Sequence, residues 1–262
     1  MSRFYILAFA ILAVLTGCAA PMMDTTPRPS QSSTSDGDNN ARGRARIHTE
    51  LAASYLEVRN LAVAIEEAGI ALRADPTYGP AYNVAGLIYV ELKNDSLAEQ
   101  NFQQALRLNR QDPDANNNYG TFLCQRKREA DGIRHYMAAA NDPLYRYPDR
   151  SYVNAGLCAR RRGDLAEAEG YFRGALKFQP YQIQALYQLA DLSYARANYP
   201  EARSHLQRLI PVASSSPEIL WLMLRAERRL GDRNNEASLA HQLRSIFPNT
   251  KEAEALASGQ FD

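Results

Sequence analysis

The sequence predicts an all-α protein, a right-handed superhelix of about six helix-turn-helix repeats. Three observations carry that prediction. The stretch Asn116-Asn117-Asn118-Tyr119-Gly120-Thr121-Phe122-Leu123-Cys124 is echoed by Tyr152-Val153-Asn154-Ala155-Gly156-Leu157-Cys158, with the two cysteines 34 residues apart. A pattern of small and aromatic residues recurs at the same step along most of the chain. The strand patterns that an α/β enzyme would need are absent. A 34-residue period is the signature of stacked antiparallel helix pairs, the tetratricopeptide repeat. Both cysteine stretches then read as first helices of neighbouring repeats. Such helices pack about 8–10 Å apart, so facing side chains can meet. A disulfide needs Cα atoms about 4.4–6.8 Å apart, which facing positions can reach.

Composition sets the outer bounds. The chain has 262 residues, 45% hydrophobic and 23% charged, which is globular composition. Its net charge of +1 gives no global field favouring nucleic acid.

Residues 1–17 read as a secretory signal of lipoprotein type. Arg3 gives a positive start and Phe4 to Leu15 form the apolar run, too short for the roughly 20 residues of a transmembrane helix. The ending Leu15-Thr16-Gly17-Cys18 resembles the bacterial lipobox. That resemblance implies cleavage before Cys18 and acylation of Cys18. Ala19 at the next position implies sorting to the outer membrane. A plain signal peptide with an incidental cysteine is the alternative. Several acyl chains on one residue satisfy the requirement of more than one lipid for stable anchoring. Residues 18–44 are rich in Pro, Ser, Thr, Asp, Asn and Gly and read as a lipidated, disordered tether. A flexible chain of that length has an r.m.s. span of about 30 Å.

The repeat domain is expected over 45–258. Its units fall near 45–78, 79–112, 113–147, 149–182, 183–216 and 217–248, followed by a short capping helix over Thr250–Ser258. The pattern places Leu-Gly and Tyr on the first helix, Ala and Phe on the second, and a closing Pro. The first unit offers Leu51, Tyr55, Ala64, Ala68, Ala71 and Pro76. The second offers Tyr82, Gly86, Tyr89, Ala98, Phe102 and Ala105, with Arg110 where Pro is expected. In the third, Gly132 replaces the usual Ala, and Pro143 and Pro148 bracket a longer connection. The fourth, with Tyr152, Gly156, Ala168, Phe172, Ala175 and Pro180, is the cleanest match, and the last two depart furthest. Each helix pair is too small to bury its apolar face alone, so stability comes from stacking neighbours.

The Asn-Tyr-Gly-x-Phe-Leu-Cys and Asn-x-Gly-x-Cys stretches, together with the lipobox, closely resemble the type IV pilus biogenesis and stability lipoproteins, the pilotins PilF and PilW. The resemblance covers essentially the whole mature chain. It implies an outer-membrane lipoprotein facing the periplasm that localises and assembles the secretin, the channel through which the pilus exits. It carries over Cys18, Cys124 and Cys158, but no secretin-contacting residue.

With Cys18 assigned to lipid, Cys124 and Cys158 form a natural pair, expected to be oxidised in a periplasmic chain. Two buried free thiols are the alternative. No cofactor or metal is expected. His48, His135, His205 and His241 are scattered, and no nucleophile elbow, phosphate loop or dinucleotide fingerprint occurs. The expected role is therefore binding rather than catalysis, with no small-molecule substrate. The clusters Arg160-Arg161-Arg162 and Arg225 with Arg228-Arg229 read as solvated faces offset by nearby Glu. By repeat register the concave face should receive Leu56, Leu87 and Val90 and, deeper in, Asn83, Asn117, Thr121 and Tyr187. Apolar residues there suit a peptide or helix laid in a groove, or else simply pack between helices. An adaptor for cell-wall enzymes is the competing function.

Overall fold

The computed structural model describes residues 33–212 and 216–261. The signal segment, the lipobox and the first part of the expected tether lie outside those residues. Among the described residues all regular structure is helical. The order is α1 (Ser33–Glu57), α2 (Leu61–Ala74), α3 (Gly79–Glu91), α4 (Asp95–Leu108), α5 (Pro113–Gln125), α6 (Glu129–Ala140), α7 (Pro148–Arg162), α8 (Leu165–Phe178), α9 (Ile183–Ala195), α10 (Tyr199–Leu209), α11 (Pro217–Leu230), α12 (Arg233–Ile246) and α13 (Lys251–Ser258). Odd and even helices pair as hairpins, and the pairs stack into the tetratricopeptide superhelix with α13 closing the end.

Local chemistry fixes the ends. Asn94, Asp112, Asp164, Asn198, Ser216, Asp232 and Thr250 each accept a hydrogen bond from a first-turn amide of the helix that follows. Proline stands at the first or second position of α3, α5, α7, α10 and α11, where a missing N–H costs nothing. The turn inside each hairpin needs one left-handed residue. Gly163 and Gly231 supply it without strain, whereas Arg59, Lys93, Lys127 and Ala197 adopt φ of 58–60°.

Packing inside a hairpin depends on close approach. A Cβ on Gly86 would lie 2.7 Å from the Phe102 ring, and one on Gly156 would lie 2.5 Å from the Phe172 ring. In the third hairpin the backbones themselves meet. A Cβ on Gly120 would fall 2.9 Å from the Gly132 carbonyl oxygen, and one on Gly132 would fall 2.8 Å from the Gly120 oxygen. Glycine in place of the usual Ala at 132 is what this approach demands.

The cores run in a row along the stack. Ala52, Ala64, Ala68 and Ile88 fill the first. Phe102, Tyr119, Phe122 and Leu123 fill the next, and Ile133, Tyr136, Val153, Cys158 and Phe172 the third. Leu186, Leu206 and Leu222 fill the fourth, and Leu220, Leu224, Leu243 and Ala253 the last. Phe261 then stacks on Trp221 at 5.5 Å between centroids, covering the final apolar surface.

The expected tether is corrected at its end. The helix begins at Ser33, not at Ala45, although the composition of 33–44 reads as coil. Tertiary contacts override that composition. The Arg42 guanidinium lies over the Tyr78 ring at 5.4 Å and 3.8 Å from Asp75, and Ala45 is fully buried. No helix among the described residues is long and apolar enough to cross a membrane.

Candidate functional site

Helices α1, α3 and α5 lie side by side on the inner face of the stack. A cleft of about 390 Å³ opens across them. Leu56 from α1, Leu87 and Val90 from α3 and Thr121 from α5 line it together, and each is half-buried. Leu56 also packs on the first core, and Leu87 and Val90 on the second. These side chains therefore belong to the core and to the cleft at once.

Sequence reasoning missed the charged and polar rim and also the aromatic floor, which Phe102 and Phe122 form. Phe102 belongs to α4, a second helix, and reaches through because Gly86 has no Cβ to block it. The Gly86–Phe102 pairing was the available signal. The rim is charged. Arg59 and Glu91 pair at 2.9 Å across the mouth, with Glu57 beside them. Arg126 lies over the Phe122 ring at 5.0 Å and grips Asp95 through Nε and Nη2 at 2.9 and 2.5 Å. Those hydrogen bonds hold the Asp95 carboxyl below its ordinary value.

Asn83 and Asn117 do not line the cleft. Asn83 is buried, and its Oδ1 accepts from Asn118 Nδ2 at 3.2 Å. Asn117 Oδ1 accepts from Ser151 Oγ and Asn154 Nδ2 at 3.1 and 3.2 Å, bridging α5 to α7. Both asparagines are spent tying one first helix to the next. The Thr121 hydroxyl donates to the Asn117 carbonyl and accepts from Tyr136, whose own hydroxyl is pushed up by burial. Tyr187 sits elsewhere, in a cavity of about 400 Å³ with Trp221 and Arg225 near the last hairpin.

Cys124 on α5 and Cys158 on α7 are joined, with Cα atoms 6.0 Å apart and both residues buried. Arg161 Nη1 donates to the Cys124 carbonyl at 3.2 Å, a second tie between the same helices. Since α5 carries Thr121 and Phe122, this link also fixes the far wall of the cleft. Cys18 lies outside the described residues. No group of three or more His, Cys, Asp or Glu placed to hold a metal occurs among the described residues. His48 pairs with Glu67 at 2.6 Å, and His135 with Asn116 at 2.8 Å.

Tetratricopeptide-repeat models match residues 79–112 and 159–227. The type IV pilus assembly protein PilF of Pseudomonas aeruginosa is 26% identical over 246 residues, which cover 94% of each chain. The solved structure of P. aeruginosa PilF aligns with a TM-score of 0.74 at 25% identity, covering 86% of this chain and all of that one. That of PilW, described as a widely conserved type IV pilus biogenesis factor, aligns at 0.69 and 28% identity, covering 81% and 98%. Repeat pattern, whole-length alignment and superposed fold agree: the chain belongs to the tetratricopeptide-repeat family of type IV pilus biogenesis proteins that includes PilF and PilW.

Proposed function

We propose that the chain is a pilotin: a lipoprotein held on the periplasmic side of the outer membrane through acylated Cys18, which binds the type IV pilus secretin subunit and promotes its localisation and multimer assembly. It acts by binding rather than catalysis. The observation that carries this reading is the cleft formed by Leu56, Leu87 and Val90 over Phe102 and Phe122. An apolar trough with a charged rim suits an amphipathic helix or extended segment laid across α1, α3 and α5. The trough lies in the first three hairpins, which follow Cys18 most closely in sequence. The likeness to PilF and PilW over most of their length supports the choice of secretin as partner.

Burying one leucine fully at an interface contributes about 1.5–3 kcal/mol. Leu56→Glu or Leu87→Glu should therefore weaken binding to purified secretin by about tenfold or more. Because these side chains are only half-buried, the helical circular dichroism should persist. Folded variants that bind like the parent would move the docking surface elsewhere. Cys18→Ser should be lost from outer-membrane fractions yet bind secretin normally as purified protein. Its retention in the membrane at parental levels would show that protein contacts, not lipid, hold the chain there.

A further inference from the structure

Helix α5 also borders a second recess. Residues Asn118, Thr121, Phe122 and Gln125 face the cleft, whereas Asn116 and Tyr119 line a separate cavity of about 760 Å³ between α4 and α6. Arg107, Arg110, Arg134 and His135 project into that cavity, and none of the described residues lining it is a carboxylate. Arg110 and Ala138 are shared with an adjoining cavity of about 490 Å³ that ends at Pro143 and Leu144. Leu144 is 93% exposed. Among the described residues Asp142 is the one carboxylate lining either space, and it already accepts the Leu144 amide at 2.8 Å.

The recess is built rather than incidental. Arg110 stands where the repeat pattern calls for proline, as Pro76 and Pro180 do in other hairpins. Its side chain has no ion pair or hydrogen bond among the described residues, and Arg107 reaches only the Gln104 amide oxygen. Buried Asn116 fixes the turn that carries Arg110. Its Nδ2 donates to the carbonyls of Arg110 and Asp112 at 3.0 and 2.9 Å. With that amide committed, Asn116 Oδ1 is the acceptor for His135 Nδ1–H at 2.8 Å, which sets the imidazole tautomer. The longer 141–147 connection then places Leu144 at the apolar end.

We propose that this recess is a second docking site, which takes an acidic peptide segment of a protein partner. Its carboxylates lie on Arg107, Arg110 and Arg134, and an adjacent apolar side chain lies against Leu144. Guanidinium forks match carboxylates bidentately, and two of these three arginines have no competing internal carboxylate. A recess with an apolar end favours an extended peptide over a flat anionic membrane surface.

The test is to pan an octapeptide library, with positions drawn from Glu, Gln, Lys, Leu and Ser, on the full-length chain. Arg110→Glu, Arg110→Gln and Leu87→Glu are panned in parallel, with circular dichroism reporting their fold. The parent should enrich Glu beside Leu. Selected peptides should bind Arg110→Glu at least about tenfold more weakly, Arg110→Gln to an intermediate degree, and Leu87→Glu unchanged. The proposal is overturned if the parent enriches no Glu or if folded Arg110→Glu keeps the same profile. It is also overturned if Leu87→Glu loses the enrichment too, since the peptide would then lie in the inner cleft. Arg110-dependent binding to vesicles containing phosphatidylglycerol, without peptide enrichment, would make the ligand a lipid headgroup and sink the peptide assignment.

Discussion

His205 on α10 is buried, and neither ring nitrogen has a hydrogen-bond partner among the described residues. Glu201 Oε1, at 3.7 Å from Nε2, is too far to serve as one. Burial pushes the His205 pKa below its ordinary value; Glu201 pulls it back up, while Arg173 and Arg208 push it further down. The sign of the pH effect follows. In the unfolded chain an imidazole protonates at its ordinary value of about 6.5, while folded His205 stays neutral to lower pH. Between those values the unfolded state holds the extra proton, so stability falls as pH drops through that window. His135, lowered by burial and by Arg134, contributes in the same direction. Leaving a buried polar group unpaired costs about 1–3 kcal/mol. His205→Leu should therefore raise the melting temperature at pH 7.5 and reduce, without abolishing, its decline toward pH 5.5. A variant no more stable than the parent, with an unchanged pH slope, would show that His205 is not the group involved.

At the scale of the element, the hairpin turns carry the clearest strain. Six of them require a left-handed residue, and Ala197 fills one at φ of 60° with no side-chain interaction to offset it. A non-glycine residue there costs about 1–2 kcal/mol, and glycine returns about 0.5–1 kcal/mol of that through unfolded-state entropy. Ala197→Gly should thus stabilise the chain by about 0.5–1 kcal/mol in urea denaturation, and Gly163→Ala should destabilise it comparably. Equal midpoints for Ala197→Gly and parent would mean the turn tolerates the strain. These turns show what sequence makes legible. Contacts within one repeat recur at fixed offsets, so Gly86 against Phe102 and Gly156 against Phe172 could be read, and the helix pairs with them. The cleft was half legible: Leu56, Leu87, Val90 and Thr121 follow from register, but its aromatic floor depends on which second-helix side chain reaches through the first. The arginine recess was not legible as a site. Arg107, Arg110 and Arg134 come from two hairpins and singly resemble solvated surface; only the missing proline at 110 marks the place. The start of α1 was hidden because Ser, Asp, Gly and Asn signal coil, while Arg42 holds the helix through contacts with Asp75 and Tyr78 in the α2–α3 connection.

Across the whole molecule, stability is a chain of neighbour contacts, with five cores in series among the described residues and charged links between hairpins. Arg128 joins Glu99 at 2.6 Å, Arg160 joins Asp191 at 2.5 Å, and Arg203 joins buried Glu227. In such a stack the loss of one link is felt locally. The Cys124–Cys158 bond spans the junction of the third and fourth hairpins, where Arg161 and the Asn117–Asn154 bond also cross. Closing a loop of that length contributes about 3–4 kcal/mol in the chain-entropy description. Reduction should therefore lower the thermal midpoint while leaving the helical spectrum intact. Amide exchange should accelerate in α5 to α7 and stay unchanged in α11 to α13, which have their own core. Because α5 supplies Thr121 and Phe122 to the cleft, the secretin binding proposed for it should weaken on reduction more than removal of a remote contact would produce. Free thiols at both positions in periplasmically produced protein, found by non-reducing mass spectrometry, would contradict the link. Exchange that accelerates uniformly along the chain would instead show that the stack unfolds as one unit and that the bond is not a local clamp on the cleft.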